Sequence, residues 1–182
     1  VIGPYLIACA LLVLAGASKS VRPANTVRAL AGVFPYPRFL ALTVPLLAAG
    51  ELGLGTAAII WPVPALAAMV AVSYAVFAGF VVVIRLRHGS VSSCGCFGTP
   101  DTPATWLHAV INVFLAASSA ALAVNEPGGN IVTVLRSQPW HGLPLVLAVL
   151  VGTWLVVLAF SSLAQLTAVR RTLAARPGGS PS

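Results

Sequence analysis

Five stretches of this chain are apolar for long enough to cross a lipid bilayer, and that limits the fold more than any other feature. A hydrocarbon core about 30 Å thick needs about 20 residues of helix. The stretches run from Ile2 to Ala17, Phe39 to Trp61, Ala65 to Ile84, Trp106 to Val124 and Leu143 to Leu166. They predict an all-α fold, a polytopic membrane helix bundle of about five transmembrane helices, with a four-helix core plus one. Residues 1–168 form the transmembrane domain on this reading, and 169–182 a basic, disordered cytoplasmic tail. Trp61-Pro62-Val63-Pro64 is a tight uncharged turn. Asn25 is placed as the cap of a short helix from Thr26 to Ala31 on the cytoplasmic interface. The segment from Arg87 to Pro103, rich in Gly, Ser, Thr and Pro, reads as a loop.

Charge sets the orientation and excludes one class of function. The chain has ten Lys or Arg against three acids, and charged residues make up only 7% of it. A soluble nucleic-acid binder would carry a basic stripe on a polar face, and no such stripe exists. The basic residues instead flank the apolar runs. The Ser18–Arg38 connection holds Lys19, Arg22, Arg28 and Arg38; Arg85 and Arg87 follow the third run; Arg170, Arg171 and Arg176 follow the fifth. Arg136 is alone on the opposite side. The positive-inside rule therefore places the N-terminus outside and the C-terminus in the cytoplasm, with the protein in the cell membrane. Ala15-Gly16-Ala17 has the small-residue look of a signal-peptide cleavage site. However, no basic segment precedes the first run, and basic residues follow it directly, which favours a retained anchor.

The most specific chemistry lies in Cys94-Gly95-Cys96. Two cysteines at i and i+2 close a disulfide only through a sharp backbone bend, which Gly95 permits. Such a small ring is strained, and strained disulfides exchange readily. A plainer reading is a pair of buried, inert thiols. A metal reading is also open: Cys94 and Cys96 as Zn or Cu(I) thiolates, completed by His88 or His108. His108, near the loop end of the fourth run, is placed to tune a thiol or accept its proton, and Asn112 shares its helix face. Glu51 is the sole acid inside a run, which makes it a functional candidate. At about 1.5 Å per residue it sits about 18 Å into its helix, a depth shared by Tyr74, Ser118 and Thr153, with Cys9 near mid-membrane. These residues predict one polar layer, with Gly50, Gly53 and Gly55 admitting a neighbouring helix.

A series of short motifs resembles the MauE family of membrane proteins, named for methylamine utilisation, within the broader DoxX-like group. The matching residues are Gly16-Ala17-Ser18-Lys19, Arg22-Pro23, Val27-Arg28-Ala29-Leu30, Pro35, Pro45-Leu46, Glu51-Leu52-Gly53-Leu54-Gly55, Cys94-Gly95-Cys96-Phe97-Gly98 and the Asn112 region. The resemblance implies a polytopic protein that assists disulfide formation or maturation of an exported enzyme, alongside a thioredoxin-like partner. The leading expectation is a membrane thiol–disulfide redox protein in which one thiolate of the Cys94–Cys96 pair attacks a partner disulfide and the other resolves it, with His108 and Glu51 in support. No cofactor is required on this reading. The alternatives are a non-catalytic membrane scaffold and a transporter for a small solute or metal. Charge puts the Cys-Gly-Cys loop on the cytoplasmic side, whereas an exported client lies outside. Either the loop folds back into the bundle, or it takes electrons from a cytosolic thiol carrier and Cys9 or a quinone continues the path.

Overall fold

The computed structural model describes residues 2–31, 37–88, 105–125 and 130–174. Among these residues there is no strand, and seven α-helices follow in order: α1 (Ile2–Val21), α2 (Pro23–Ala31), α3 (Pro37–Ile60), α4 (Pro64–His88), α5 (Trp106–Val124), α6 (Ile131–Ser137) and α7 (Leu143–Ala174). Five of them, α1, α3, α4, α5 and α7, contain a segment long and apolar enough to cross a membrane. The protein is therefore an all-α, multi-pass membrane bundle, as its apolar runs predict.

Three of the α-helices, α2, α3 and α4, begin at a proline. Pro64 opens α4 and Pro23 opens α2, positions where the missing N–H has no helical partner to lose and the fixed φ already suits a helix. The α2 start differs from the predicted cap at Asn25, which instead lies inside the helix. Between α3 and α4, Pro62 is fully buried and the Val63 N–H donates to the Trp61 carbonyl at 2.8 Å, so the chain reverses within three residues. The α6 helix and the 3-10 turn Pro139–Gly142 that follows it have no counterpart in the sequence reading. Asn130 caps α6 by accepting from the Thr133 N–H at 3.1 Å. In the turn, Trp140, His141 and Gly142 all have positive φ. The α7 helix continues past the boundary drawn at residue 168 as far as Ala174; residues 175–182 lie outside the described residues.

The α1 helix is the axis of the bundle. It lies antiparallel along α3 and also touches α2, α4, α5 and α7, while α4 pairs closely with α5. Lipid is as apolar as leucine, so burying apolar surface does not by itself drive these helices together; close packing and hydrogen bonds do. Two glycines set the α1–α3 approach. A Cβ on Gly16 would sit 2.7 Å from both the Ala48 carbonyl oxygen and the Leu52 nitrogen. A Cβ on Gly55 would sit 2.8 Å from the Cys9 carbonyl oxygen. Gly50 and Gly53, predicted to share this role, have open space where a Cβ would go. They lie on a different face of α3 from Gly55. Two tyrosine hydroxyls add cross-links, Tyr5 donating to the Ala58 carbonyl at 3.1 Å and Tyr74 to the Ala8 carbonyl at 2.7 Å. Helix carbonyls retain a free lone pair, so a buried hydroxyl can bond there without breaking the helix.

Candidate functional site: a buried ion pair and a donor-lined cavity

Glu51 is buried against α1, where Lys19 meets it. The Lys19 ammonium donates to both carboxylate oxygens, at 2.9 and 2.7 Å, and both residues are about 95% buried. The lysine starts from the last turn of α1, yet its side chain turns back into the bundle, as helical side chains lean toward the N-terminus. Removing two charges from water costs several kcal/mol per ion, so either charge alone would be strongly destabilising here. Together they form a neutral, hydrogen-bonded unit. Lys19 thus belongs to the site rather than to the cytoplasmic flank where charge counting placed it. Its Nζ also lies 5.9 Å from the centre of the Phe77 ring.

His108 and Asn112 come from the first two turns of α5, on one face, and both are buried. Thr105 fixes the imidazole. Its backbone N–H donates to Nδ1 at 3.4 Å and its hydroxyl oxygen lies 2.8 Å from the same atom. A backbone N–H can only donate, so Nδ1 accepts and the ring hydrogen is on Nε2. The ring stacks on Phe160 of α7, with centroids 4.5 Å apart and planes 11° from parallel.

These groups line one cavity of about 220 Å³. Lys19, Thr26, His108 and Asn112 form its polar end; Tyr74, Phe77, Phe80 and Phe160 supply aromatic walls. Leu47 of α3 and Val76 of α4 also border it, and both are exposed on the lipid-facing surface.

The predicted polar layer does not assemble. Glu51 pairs with Lys19, Tyr74 reaches the α1 backbone, and the Ser118 hydroxyl turns back to the Leu115 carbonyl of its own helix. The Thr153 hydroxyl is buried with no partner among the described residues. Equal depth along separate helices does not imply a shared face, because each helix carries its own rotational phase. Cys9 is fully buried beside the Gly55 backbone and does not line the cavity. Cys94 and Cys96 lie outside the described residues, in the segment linking α4 to α5. Among the described residues, no three His, Cys, Asp or Glu side chains converge as a metal site.

Sequence reasoning missed the partnership of Lys19 and the part played by Phe160. The first had a signal: a lone acid deep in an apolar run requires a cation, and Lys19 closes the neighbouring run. Phe160 had none, since one phenylalanine among many apolar residues carries no mark.

Fold and site together define a polytopic helical membrane protein organised around an intramembrane ion pair and a cavity. A family model described as "Methylamine utilisation protein MauE" matches residues 1–125, and the chain belongs to the MauE family. The match takes in α1 to α5 and the Cys94-Gly95-Cys96 string, and leaves out α6 and α7. No curated protein and no solved structure gives a match.

Proposed function

We propose that this protein is a membrane thiol–disulfide redox factor that assists the maturation of an exported protein, with Cys94 and Cys96 as the exchanging pair. The observation that carries this reading is the pairing of that motif, inside the family match, with the site at the start of α5: the chain that bears Cys94 and Cys96 enters α5 two residues before buried, oriented His108. Exchange with a thioredoxin-like partner passes through a mixed disulfide, in which one cysteine bonds the partner and the other resolves it. His108 serves as the proton-handling group beside that chemistry, and the Lys19–Glu51 pair holds α1 and α3 in place around it. The protein lies in the cell membrane, N-terminus outside. With Lys19 neutralised by Glu51, the remaining basic residues still fall mostly on the side of the α4–α5 connection, which puts that connection toward the cytoplasm. The family's name connects it to methylamine utilisation, and a maturation role in such a pathway fits the same chemistry.

Trapping tests the reading directly. A Cys96→Ser variant expressed in the native host should accumulate a reducible covalent adduct through Cys94, identifiable by mass spectrometry. Mass-tagged maleimide should add two tags in the reduced wild-type protein that are absent before reduction, over and above any at Cys9. Thiols that stay reduced in cells under all conditions, with no adduct from the variant, would remove the redox role.

A further inference from the structure

We infer that the cavity between α1, α2, α4, α5 and α7 binds the ring of a membrane-dissolved quinone, with the tail leaving between α3 and α4 into the bilayer. The inference rests on the reading above and deepens it, since a quinone is a two-electron, two-proton acceptor of the kind a Cys94–Cys96 dithiol requires. Three observations support it.

The polar end of the cavity offers donors that lack acceptors. Asn112 is buried, 7% exposed, and borders the cavity, where its amide can donate. His108 has its Nδ1 occupied by Thr105, which leaves the Nε2–H without a partner among the described residues. Lys19 uses two of its three N–H bonds on Glu51. A buried donor left unpaired is costly, so this arrangement calls for an acceptor in the cavity. It does not call for an anion. Glu51 already balances the lysine, and a fatty-acid carboxylate would enter without a counter-charge. A neutral carbonyl meets both conditions.

Size and walls suit a flat ring. An apolar cavity of about 150 Å³ admits benzene, so 220 Å³ holds one substituted six-membered ring. The His108–Phe160 stack, Phe77 and Phe80 present aromatic surfaces to it.

The entrance faces hydrocarbon. Val76, 61% exposed and midway along α4, and Leu47, 40% exposed on α3, both border the cavity. The polar end lies near the last turn of α1 and the first turns of α5. A lipid-soluble molecule thus enters from mid-bilayer and places its carbonyls near the membrane surface from which the cysteine-bearing segment leaves. Cys9, the other electron carrier considered from sequence, is sealed away from this cavity. In the redox step two thiols lose two electrons and two protons as their S–S bond forms, and the quinone takes up both pairs and leaves as quinol.

The test is equilibrium binding of a decyl-substituted benzoquinone to the full chain in lipid nanodiscs, followed by tryptophan quenching. Saturable one-site binding is expected. Asn112→Leu should weaken it about five- to tenfold, the loss of one buried hydrogen bond. Val76→Trp, a change at the exposed entrance, should put its indole into the cavity mouth and weaken binding at least fivefold while thermal unfolding stays at the wild-type temperature. Non-saturable partitioning, or identical affinity in both variants, overturns the inference, as does displacement of the quinone by phospholipid acyl chains alone. Cys94→Ser and Cys96→Ser should bind the quinone as the wild type does. If binding holds while the thiols never oxidise in cells, the quinone site survives and the redox function fails. If the thiols cycle but the quinone does not bind, the function survives and this inference fails.

Discussion

Helices α1 and α7 are both long, apolar spans, and they stand in opposite relations to the rest of the molecule. In the α1 span, 50% of the residues are buried; in the span Trp140–Phe160, which holds the first half of α7, the figure is 11%. By hydropathy alone the order would be reversed, since α7 is the more apolar of the two. The central helix is the one with the polar and small residues: Tyr5, Cys9, Gly16 and Lys19 all face other helices. Its neighbours must approach closely at Gly16 and supply an acid at Glu51. The α7 helix presents Leu147, Leu150, Trp154 and Leu155 outward, and needs no specific partner there. Within a bilayer, then, high hydropathy marks the helix that faces lipid, and its interruption marks the helix that faces protein. The family match follows the same division, covering α1 and stopping before α7.

The severest challenge to this contrast is removal of one partner of the ion pair. Lys19→Met should destabilise the protein by about 3–5 kcal/mol, because Glu51 is left buried without a cation; protonation of the carboxyl limits the loss. The double variant Lys19→Met/Glu51→Met should recover most of it. Unfolding by denaturing detergent, monitored by circular dichroism, reads both. If the single variant matches wild type, α1 is no more tied to its neighbours than α7.

Glycine substitution sharpens the contrast at the next level. Gly16→Ala forces a methyl against α3 backbone and should cost about 1–3 kcal/mol. Gly152→Ala in α7 meets only the Ile7 side chain, chiefly its terminal Cδ1, which can rotate away, so its cost should stay below about 1 kcal/mol. Gly50→Ala and Gly53→Ala meet nothing, and should be neutral or slightly stabilising through helix propensity. Thermal melts of the four variants in one detergent provide the ranking.

Smaller effects are expected from the tyrosine cross-links. Tyr5→Phe and Tyr74→Phe each remove one buried hydrogen bond, with an expected loss of about 0.5–1.5 kcal/mol. Least of all, Leu150→Ala on the lipid face of α7 should change stability by no more than about 0.5 kcal/mol. A larger loss there would show that α7 has a partner outside this chain.

The legible part of the fold was its topology. Apolar length identified all five spans, and the proline-flanked turn between α3 and α4 was readable because proline acts locally. The α2 start, the α6 helix and the positive-φ turn at Trp140 and His141 were not, since short polar elements depend on what they rest against. In the site, Glu51, His108 and Asn112 stood out as polar groups in apolar company. That signal says a polar residue needs a partner and not which one it has.

What the sequence settled alone was the number of crossings and the residues too polar for lipid, because both follow from transfer free energies that belong to each segment by itself. Tertiary structure decided which helix is central, that Lys19 reaches Glu51, and that His108, Asn112 and Lys19 border one cavity. Those outcomes depend on the rotation of each helix about its own axis. In a bilayer that rotation is set by contacts between helices, where small residues admit a neighbour and charges find each other, and no single segment carries the information.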